Sequence, residues 1–217
     1  MQTLTEAVFR LNPPGGLFDT TVVQNLFPRA SGGARKLLVH RAVSSGEVIR
    51  LTPGRYCLAR PFCHDPAHPF VVAAFLHSPS HVSLESALWH WGLIPEAIHH
   101  IASVTTRRSR TLATPLGRFD FIRVPTLVPR AGVKAVRVDE TSWAWIASPL
   151  RTIADLVYLR RGVRWGSDGV RFLTDSMRID MEDLRALPMN DLDEICAGIR
   201  DRRTTDYLAG LVKEVSS

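Results

Sequence analysis

The stretch that decides the fold is SGGARKLLVHRAVSSGEVIRLTPGRYCLAR, residues 31–60. Its first half predicts a helix, because Ser31 can accept a hydrogen bond from a free N–H of the first turn. Apolar residues then recur at helical spacing, namely Ala34, Leu37, Leu38 and Ala42. The second half predicts two β-strands around the turn at residues 52–55, where Pro53 sets φ and Gly54 permits a positive φ. A helix and a hairpin therefore follow one another directly.

The residues around the apolar stripe of this segment are mostly cationic. Two shorter helices are predicted before it, one over residues 3–11 and one capped by Asp19. Three helices followed by a hairpin are the order of a winged helix-turn-helix, in which the third helix enters the major groove of DNA. We therefore predict that residues 1–62 form such a DNA-binding domain. The predicted DNA contacts are Ser31, Arg35, Lys36, His40 and Arg41 on the helix, with Arg50, Thr52 and Arg55 on the hairpin. The alternative, a basic helix that only faces solvent, stays open.

The charge of the chain is concentrated in this first part. The 217 residues carry a net charge of +6, and residues 1–62 hold eight Arg and Lys against three acids. Such an imbalance is expected of a surface that meets phosphate. The composition, 45% apolar and 22% charged, is that of an ordinary soluble globular protein. No apolar run is long enough to span a bilayer and no signal peptide is evident, so we expect a cytoplasmic protein without a membrane partner.

Residues 63–69, rich in proline, are predicted to be a linker, and residues 70–217 a second domain. Strand patterns occur near 102–106, 117–125, 135–138 and 143–147, whereas residues 71–76 fit a buried helix or strand equally well. Ser83 is predicted to cap a helix that ends at Gly92, and further helices follow from Pro149 onwards. The expected class is α+β, with a small, mostly antiparallel sheet and flanking and trailing helices.

A search for catalytic and metal-binding patterns gives little. Cys57, Cys63, His64 and His68 are close in sequence, but their spacing is not that of a zinc site. No metal or cofactor is therefore predicted, and the three cysteines fit a reducing compartment.

One enzymatic pattern remains as an alternative. Gly166-Ser167 precedes Asp180 and Glu182 at the spacing of a nucleotidyltransferase, whose carboxylates would hold Mg²⁺ on a strand. Asp183 follows directly, however, and the segment reads better as the start of a helix. We predict no catalytic residues. A nucleotidyltransferase-like or nuclease enzyme with a DNA-targeting domain is the alternative hypothesis.

The second domain also carries a basic segment. Between Arg107 and Arg137 there are eight Arg and Lys and a single acid, Asp120. Two interpretations explain this segment equally well. It is either a surface that binds nucleic acid or an acidic protein, or a sheet face that is merely exposed to solvent.

Five strings in this order resemble the AbiEi antitoxin family of type IV toxin–antitoxin systems, and together they cover nearly the whole chain. They are RLTPGRYCLA (50–59), HVSLESALWHWGLIPEA (81–97), SVTTRRSRT (103–111), GRFDFIRVP (117–125) and IASPLRTIADLVYLRRG (146–162). Residues after about 165 match no motif of the family.

The resemblance implies a bifunctional protein. Its winged helix would bind double-stranded DNA at inverted repeats of its own promoter, and its second domain would counteract a nucleotidyltransferase toxin, commonly without a stable complex. On this view Arg107, Arg108 and Arg110 form the candidate antitoxin surface. A transcription regulator whose second domain senses a small ligand in a tryptophan-lined pocket is a further alternative.

Overall fold

The computed structural model describes residues 3–96 and 98–216, which form a mixed α+β arrangement with one three-stranded and one six-stranded sheet. The expected α+β class is confirmed. The first part contains α1 (Leu4–Leu11), β1 (Leu17–Asp19), α2 (Thr20–Leu26), α3 (Gly32–Ser44), β2 (Val48–Thr52) and β3 (Arg55–Leu58). The second contains α4 (Pro69–Leu76), β4 (His81–Val82), α5 (Leu84–His90), β5 (Ile101–Thr105), β6 (Arg110–Thr114), β7 (Gly117–Arg123), β8 (Val133–Arg137), β9 (Trp143–Ala147), α6 (Pro149–Leu159), α7 (Trp165–Asp168), α8 (Met181–Arg185), α9 (Leu192–Gly198) and α10 (Arg202–Val215).

Side-chain caps fix where the first helices begin. Asp19 accepts hydrogen bonds from the backbone N–H groups of Thr21 and Val22, at 2.8 and 3.0 Å. Ser31 accepts one from Ala34 at 3.2 Å. Both caps agree with the prediction, because these side chains satisfy N–H groups that have no partner within the helix.

The three-stranded sheet has the order β1-β3-β2 and is antiparallel throughout. The hairpin of β2 and β3 turns at Pro53-Gly54, and Gly54 has a φ of +81°, as the turn prediction requires. Strand β1, which pairs Leu17 with Cys57, was not predicted from the sequence. Its three residues are too few for an alternating pattern to be recognised.

The buried face of α3 differs from the predicted stripe. Ala42 is buried and Leu38, Val39 and Val43 pack beside it, but Leu37 is 47% exposed. Leu37 and Leu38 point about 100° apart on a helix, and the core lies on the side of Leu38 and Val39. Leu37 therefore belongs to the outer face of α3, as does Ala34.

The six-stranded sheet has the order β6-β7-β5-β4-β9-β8. The pairs β6–β7, β5–β4 and β9–β8 are antiparallel, whereas β7–β5 and β4–β9 are parallel. Residues 71–76, left undecided by the sequence, lie in helix α4. Ser83 occupies the N-cap position of α5 as predicted, but its side chain forms no capping bond, because the hydroxyl donates to the buried carboxylate of Asp155, at 2.8 Å.

The trailing helices belong to the core of the second part. Ile195 and Tyr207 are fully buried in the cluster that also contains Leu88 and Ile153. The guanidinium group of Arg203 donates to four carbonyls at and beyond the end of α6, those of Val157, Tyr158, Arg160 and Val163, at 2.7–3.2 Å. Arg203 of α10 therefore caps the C-terminal end of α6, whose last carbonyls have no partner within the helix.

A shared apolar cluster joins the two sheets. Leu17, Leu51 and Cys57 of the first sheet pack with residues of α4 and β7, namely Val72, Ala73, Leu76, Phe119 and Phe121. Residues 63–68, which connect the two parts, contain no helix or strand. The hairpin of the first part thus rests on the second part rather than standing free.

Candidate nucleic-acid interface

The outer face of α3 presents the predicted basic residues Lys36, His40 and Arg41, all of them exposed. Lys36 and His40 are four residues apart and therefore lie on the same side of the helix. His40 is held by a hydrogen bond between its Nδ1 and the hydroxyl of Ser44, at 3.0 Å. The face is cationic and accessible along about two turns of the helix.

A groove of about 480 Å³ runs between α2, α3 and the hairpin. Lys36 and His40 line it from α3, and Arg50 lines it from β2. The opposite wall is formed by Thr20 and Gln24 of α2. Arg35 lines it as well, so the structure brings together four of the predicted DNA-contacting residues, from two elements that are separate in sequence.

The acids of the first part are engaged elsewhere. Glu6 accepts from the N–H of Thr3, Asp19 caps α2, and Glu47 accepts from the hydroxyl of Thr5. Within residues 3–96 and 98–216, no carboxylate forms an ion pair with Lys36, Arg41 or Arg50. The positive charge of this face is therefore not neutralised locally.

Two predicted contacts have structural partners of their own. The guanidinium group of Arg35 donates to the carbonyls of Phe27 and Ala30, at 3.2 and 2.8 Å, and so closes the turn between α2 and α3. The hydroxyl of Ser31 is used in the cap of α3. Contact of either residue with DNA stays a prediction.

The hairpin tip packs against other parts of the chain. The carbonyl of Gly54 accepts from the N–H of Thr20 at 3.1 Å, and the guanidinium carbon of Arg55 lies 5.9 Å from the ring centroid of Phe75 in α4. The hydroxyl of Thr52 is buried without a hydrogen-bond partner in the described part of the chain. Thr52 and Arg55, unlike Arg50, therefore do not line the groove.

Leu37 is a surface residue that the sequence assigned to the core. Its exposed side chain lies among Lys36, His40 and Arg41 on the outer face of α3. Apolar side chains at such positions can contact the methyl group of thymine in the major groove. The sequence did hold a signal for this exposure, because two adjacent leucines on a helix cannot both face the same core.

The second basic segment, called here the second basic loop, comprises the turn between β5 and β6 and Arg110, the first residue of β6. Arg107, Arg108 and Arg110 are all exposed, and the hydroxyl of Ser109 anchors the loop by accepting from the N–H of Arg123, at 2.9 Å. Arg107 and Arg110 also lie near His77, which is a buried residue.

The electrostatics of His77 connect this loop to the hairpin. Burial lowers the pKa of His77, and the positive charges of Arg110, Arg107 and Arg55 lower the pKa further. Charges of the hairpin and of the second basic loop thus act on the same buried side chain.

The residues of the nucleotidyltransferase pattern lie on helices. Asp180 is at the N-cap position of α8 and Glu182 is in the first turn, both of them exposed. Gly166-Ser167 lies in α7. The carboxylates are thus not on the strand that this pattern requires.

Comparisons with protein-family models and with curated proteins find no match for this sequence. Within the described residues, no helix is both long enough and apolar enough to cross a membrane.

Proposed function

We propose that the protein is a DNA-binding regulator whose first 62 residues act as a winged helix-turn-helix. The order α1-β1-α2-α3-β2-β3, with a sheet of order β1-β3-β2, supports this proposal. In this arrangement α3 is the recognition helix, α2 the preceding helix of the turn, and the β2–β3 hairpin a short wing.

The observation that carries the proposal is the unpaired basic face of α3. Lys36, His40 and Arg41 are exposed on it, Arg50 stands beside it across the groove, and the local acids are bound elsewhere. The face is one helix wide, which is what the major groove of B-DNA accommodates. Gly32 and Gly33 begin α3 without side chains, and the space that a Cβ would take is open apart from the Ser31 hydroxyl, 3.9 Å from the Gly33 position, which favours close approach of the backbone to DNA.

The regulated DNA is proposed to be the protein's own promoter, with inverted repeats read by two copies. This part of the proposal, like the antitoxin activity, rests on the family resemblance. The second part of the chain would counteract a nucleotidyltransferase toxin through the loop that carries Arg107, Arg108 and Arg110. The exposure of all three arginines supports the choice of this loop.

DNA binding is tested by fluorescence anisotropy with duplexes from the upstream promoter and with shuffled duplexes of the same length. We expect tighter binding to the promoter, with an affinity that falls steeply as salt increases, because phosphate contacts release counterions. Equal affinity for both duplexes at every salt concentration would reject sequence-specific regulation.

The antitoxin activity is tested by growth of cells that express the neighbouring nucleotidyltransferase-type gene together with this protein. Alanine at Arg107, Arg108 and Arg110 should abolish the rescue of growth. The matched control places alanine at Arg185, Arg200 and Arg202, which are also exposed and carry the same total charge. Rescue that survives the first triple substitution would exclude this loop as the antitoxin surface.

A further inference from the structure

A second concave site lies in the six-stranded sheet, on the strands β5, β4 and β9. It is a cavity of about 270 Å³. His81, Val104 and Trp145 line it from these three adjacent strands, since His81 pairs with Val104 and the neighbouring Val82 pairs with Ile146. The loop that leads from β7 to β8 supplies one wall through Thr126, Pro129 and Arg130.

The side chain of Arg130 is held ready for an anion at the rim of this cavity. Its guanidinium carbon lies 3.8 Å from the ring centroid of Trp145, so the planar group is stacked on the indole. In the part of the chain that the structure describes, Arg130 forms no ion pair, and no Asp or Glu lines the cavity. A guanidinium group that is fixed in this way matches the geometry of phosphate and carboxylate oxygens.

The buried ion pair of Arg151 and Asp155 lies behind the cavity and contacts both His81 and the loop that carries Arg130. The imidazole of His81 is 91% buried, and its Nε2 lies 3.6 Å from Oδ2 of Asp155. Asp155 is fully buried and accepts from Nε of Arg151 at 2.9 Å, and Nη1 of Arg151 donates to the carbonyl of Ala131 at 2.7 Å. Ala131 directly follows Arg130, so a single chain of contacts runs from the floor of the cavity to its rim.

The charge of this network is stable at neutral pH. Burial by itself raises the pKa of Asp155, but Arg151, His81 and Ser83 outweigh it and bring the pKa below its ordinary value. The trailing helices reinforce the same loop, because the carbonyl of Gly198 accepts from the N–H of Leu127 at 3.1 Å and from the hydroxyl of Thr126 at 2.9 Å. The core therefore fixes the position of the loop that carries Arg130.

We infer that this cavity binds a small organic phosphate of the size of a nucleoside monophosphate. Arg130 pairs with the phosphate, together with the hydroxyls of Ser78 and Thr106, which have no hydrogen bond of their own among the described residues. These donors suit the several oxygens of a phosphate better than the two of a carboxylate. The exposed part of Trp145 and the apolar wall of Val104 and Pro129 receive the organic moiety.

The experiment uses isothermal titration calorimetry of the full chain with AMP, UMP, ribose 5-phosphate, adenosine and benzoate. AMP or UMP should bind, ribose 5-phosphate should bind more weakly, and adenosine and benzoate should not bind measurably. Arg130→Gln should weaken nucleotide binding about 10-fold or more, the scale of one charge-assisted hydrogen bond. His81→Gln should also weaken it.

The matched control is Arg137→Gln, which removes the same charge from an exposed residue of the neighbouring strand β8 that does not line the cavity. It should leave nucleotide affinity unchanged. Absence of binding by both nucleotides at millimolar concentration would overturn the proposal, as would equal losses in R130Q and R137Q. Binding of benzoate as tight as that of AMP would show a general anion site and would also overturn it.

Discussion

Lys36 and Arg35 are neighbours on α3 that both line the groove, but only Arg35 also bonds backbone carbonyls, so alanine at each position compares loss of an exposed cation with loss of those bonds. Lys36 is exposed on the groove, whereas Arg35 donates to two backbone carbonyls. One lost phosphate contact lowers the slope of log affinity against log salt by about 0.9. Over the decade from about 1 M to about 0.1 M salt, this difference in slope makes the binding of Lys36→Ala roughly 8-fold weaker than that of the unsubstituted protein. The free energy of unfolding should change by less than about 0.5 kcal/mol, as for an ordinary surface substitution.

Arg35→Ala should instead destabilise the fold by about 1–3 kcal/mol, because two half-buried carbonyls lose a charged donor. Anisotropy with promoter DNA across a salt series measures the first effect, and urea unfolding measures the second. The reasoning is refuted if Lys36→Ala leaves both affinity and salt slope unchanged, since α3 would then not face DNA. A variant Arg35→Ala of unchanged stability would show that the bonds to Phe27 and Ala30 contribute nothing.

Three further predictions concern the fold. Arg203→Ala should lower the free energy of unfolding, measured by urea denaturation, by about 2–4 kcal/mol, because several carbonyls at the end of α6 lose a charged partner. The control Arg202→Ala, at a position with 93% side-chain exposure, should change the free energy of unfolding by less than about 0.5 kcal/mol. The folded state lowers the pKa of His77, so the unfolded chain binds a proton at higher pH than the folded chain does. The stability that neutral His77 contributes should therefore be present above about pH 6.5 and lost as the pH falls below it. His77→Gln should remove that part of the pH dependence of the free energy of unfolding. Gly210→Ala would place a Cβ 2.3 Å from the ring of Trp165, so the ring must move, and thermal unfolding should show a loss of about 1–3 kcal/mol.

Local chemistry is the part of the fold that the sequence predicts well. Asp19 and Ser31 cap helices because their hydroxyl or carboxylate reaches N–H groups two or three residues away, which needs no knowledge of the rest of the chain. The turn at Gly54 is equally local. These features are decided within one helical turn or one hairpin.

Features that depend on distant partners were missed. Ser83 precedes a helix and was predicted to cap it, but a buried carboxylate 72 residues later takes its hydrogen bond. The bonds from Arg35 to the carbonyls of Phe27 and Ala30, in the turn between α2 and α3, were likewise not predicted, whereas its contact with DNA stays a prediction. A polar side chain binds the partner that the tertiary structure offers, and sequence spacing cannot reveal that partner.

The candidate sites could be predicted only in part, again because some of their residues meet through distant partners. Lys36, His40 and Arg50 reach one groove because a helix face and an adjacent strand follow a known order of elements. The cavity at Trp145 and the network behind it could not be predicted, because His81, Arg130 and Asp155 come from three elements far apart in sequence. A tryptophan count suggests a pocket but does not locate one.

A hydrogen bond and a set of electrostatic interactions lie between the two proposed binding sites, which leads to a last prediction. Thr105 lines the cavity, and its hydroxyl accepts from the N–H of Arg107 at 3.1 Å. The charges of Arg107 and Arg55 both lower the pKa of His77, and Arg55 lies in the hairpin of the proposed DNA-binding part. We expect AMP to change the affinity for promoter DNA about 5-fold or more, the lower end of typical allosteric coupling.

This coupling is measured by anisotropy with and without AMP, and by calorimetry of AMP binding with and without promoter DNA. Linkage requires the same factor in both directions, because a coupling free energy belongs to the pair of sites rather than to either ligand. Arg130→Gln should abolish the effect of AMP while leaving DNA affinity in its absence unchanged. Promoter affinity that is independent of AMP in the unsubstituted protein would show that contacts through Thr105 and Arg107 transmit no conformational difference. The cavity and the DNA-binding face would then be separate sites on one rigid scaffold.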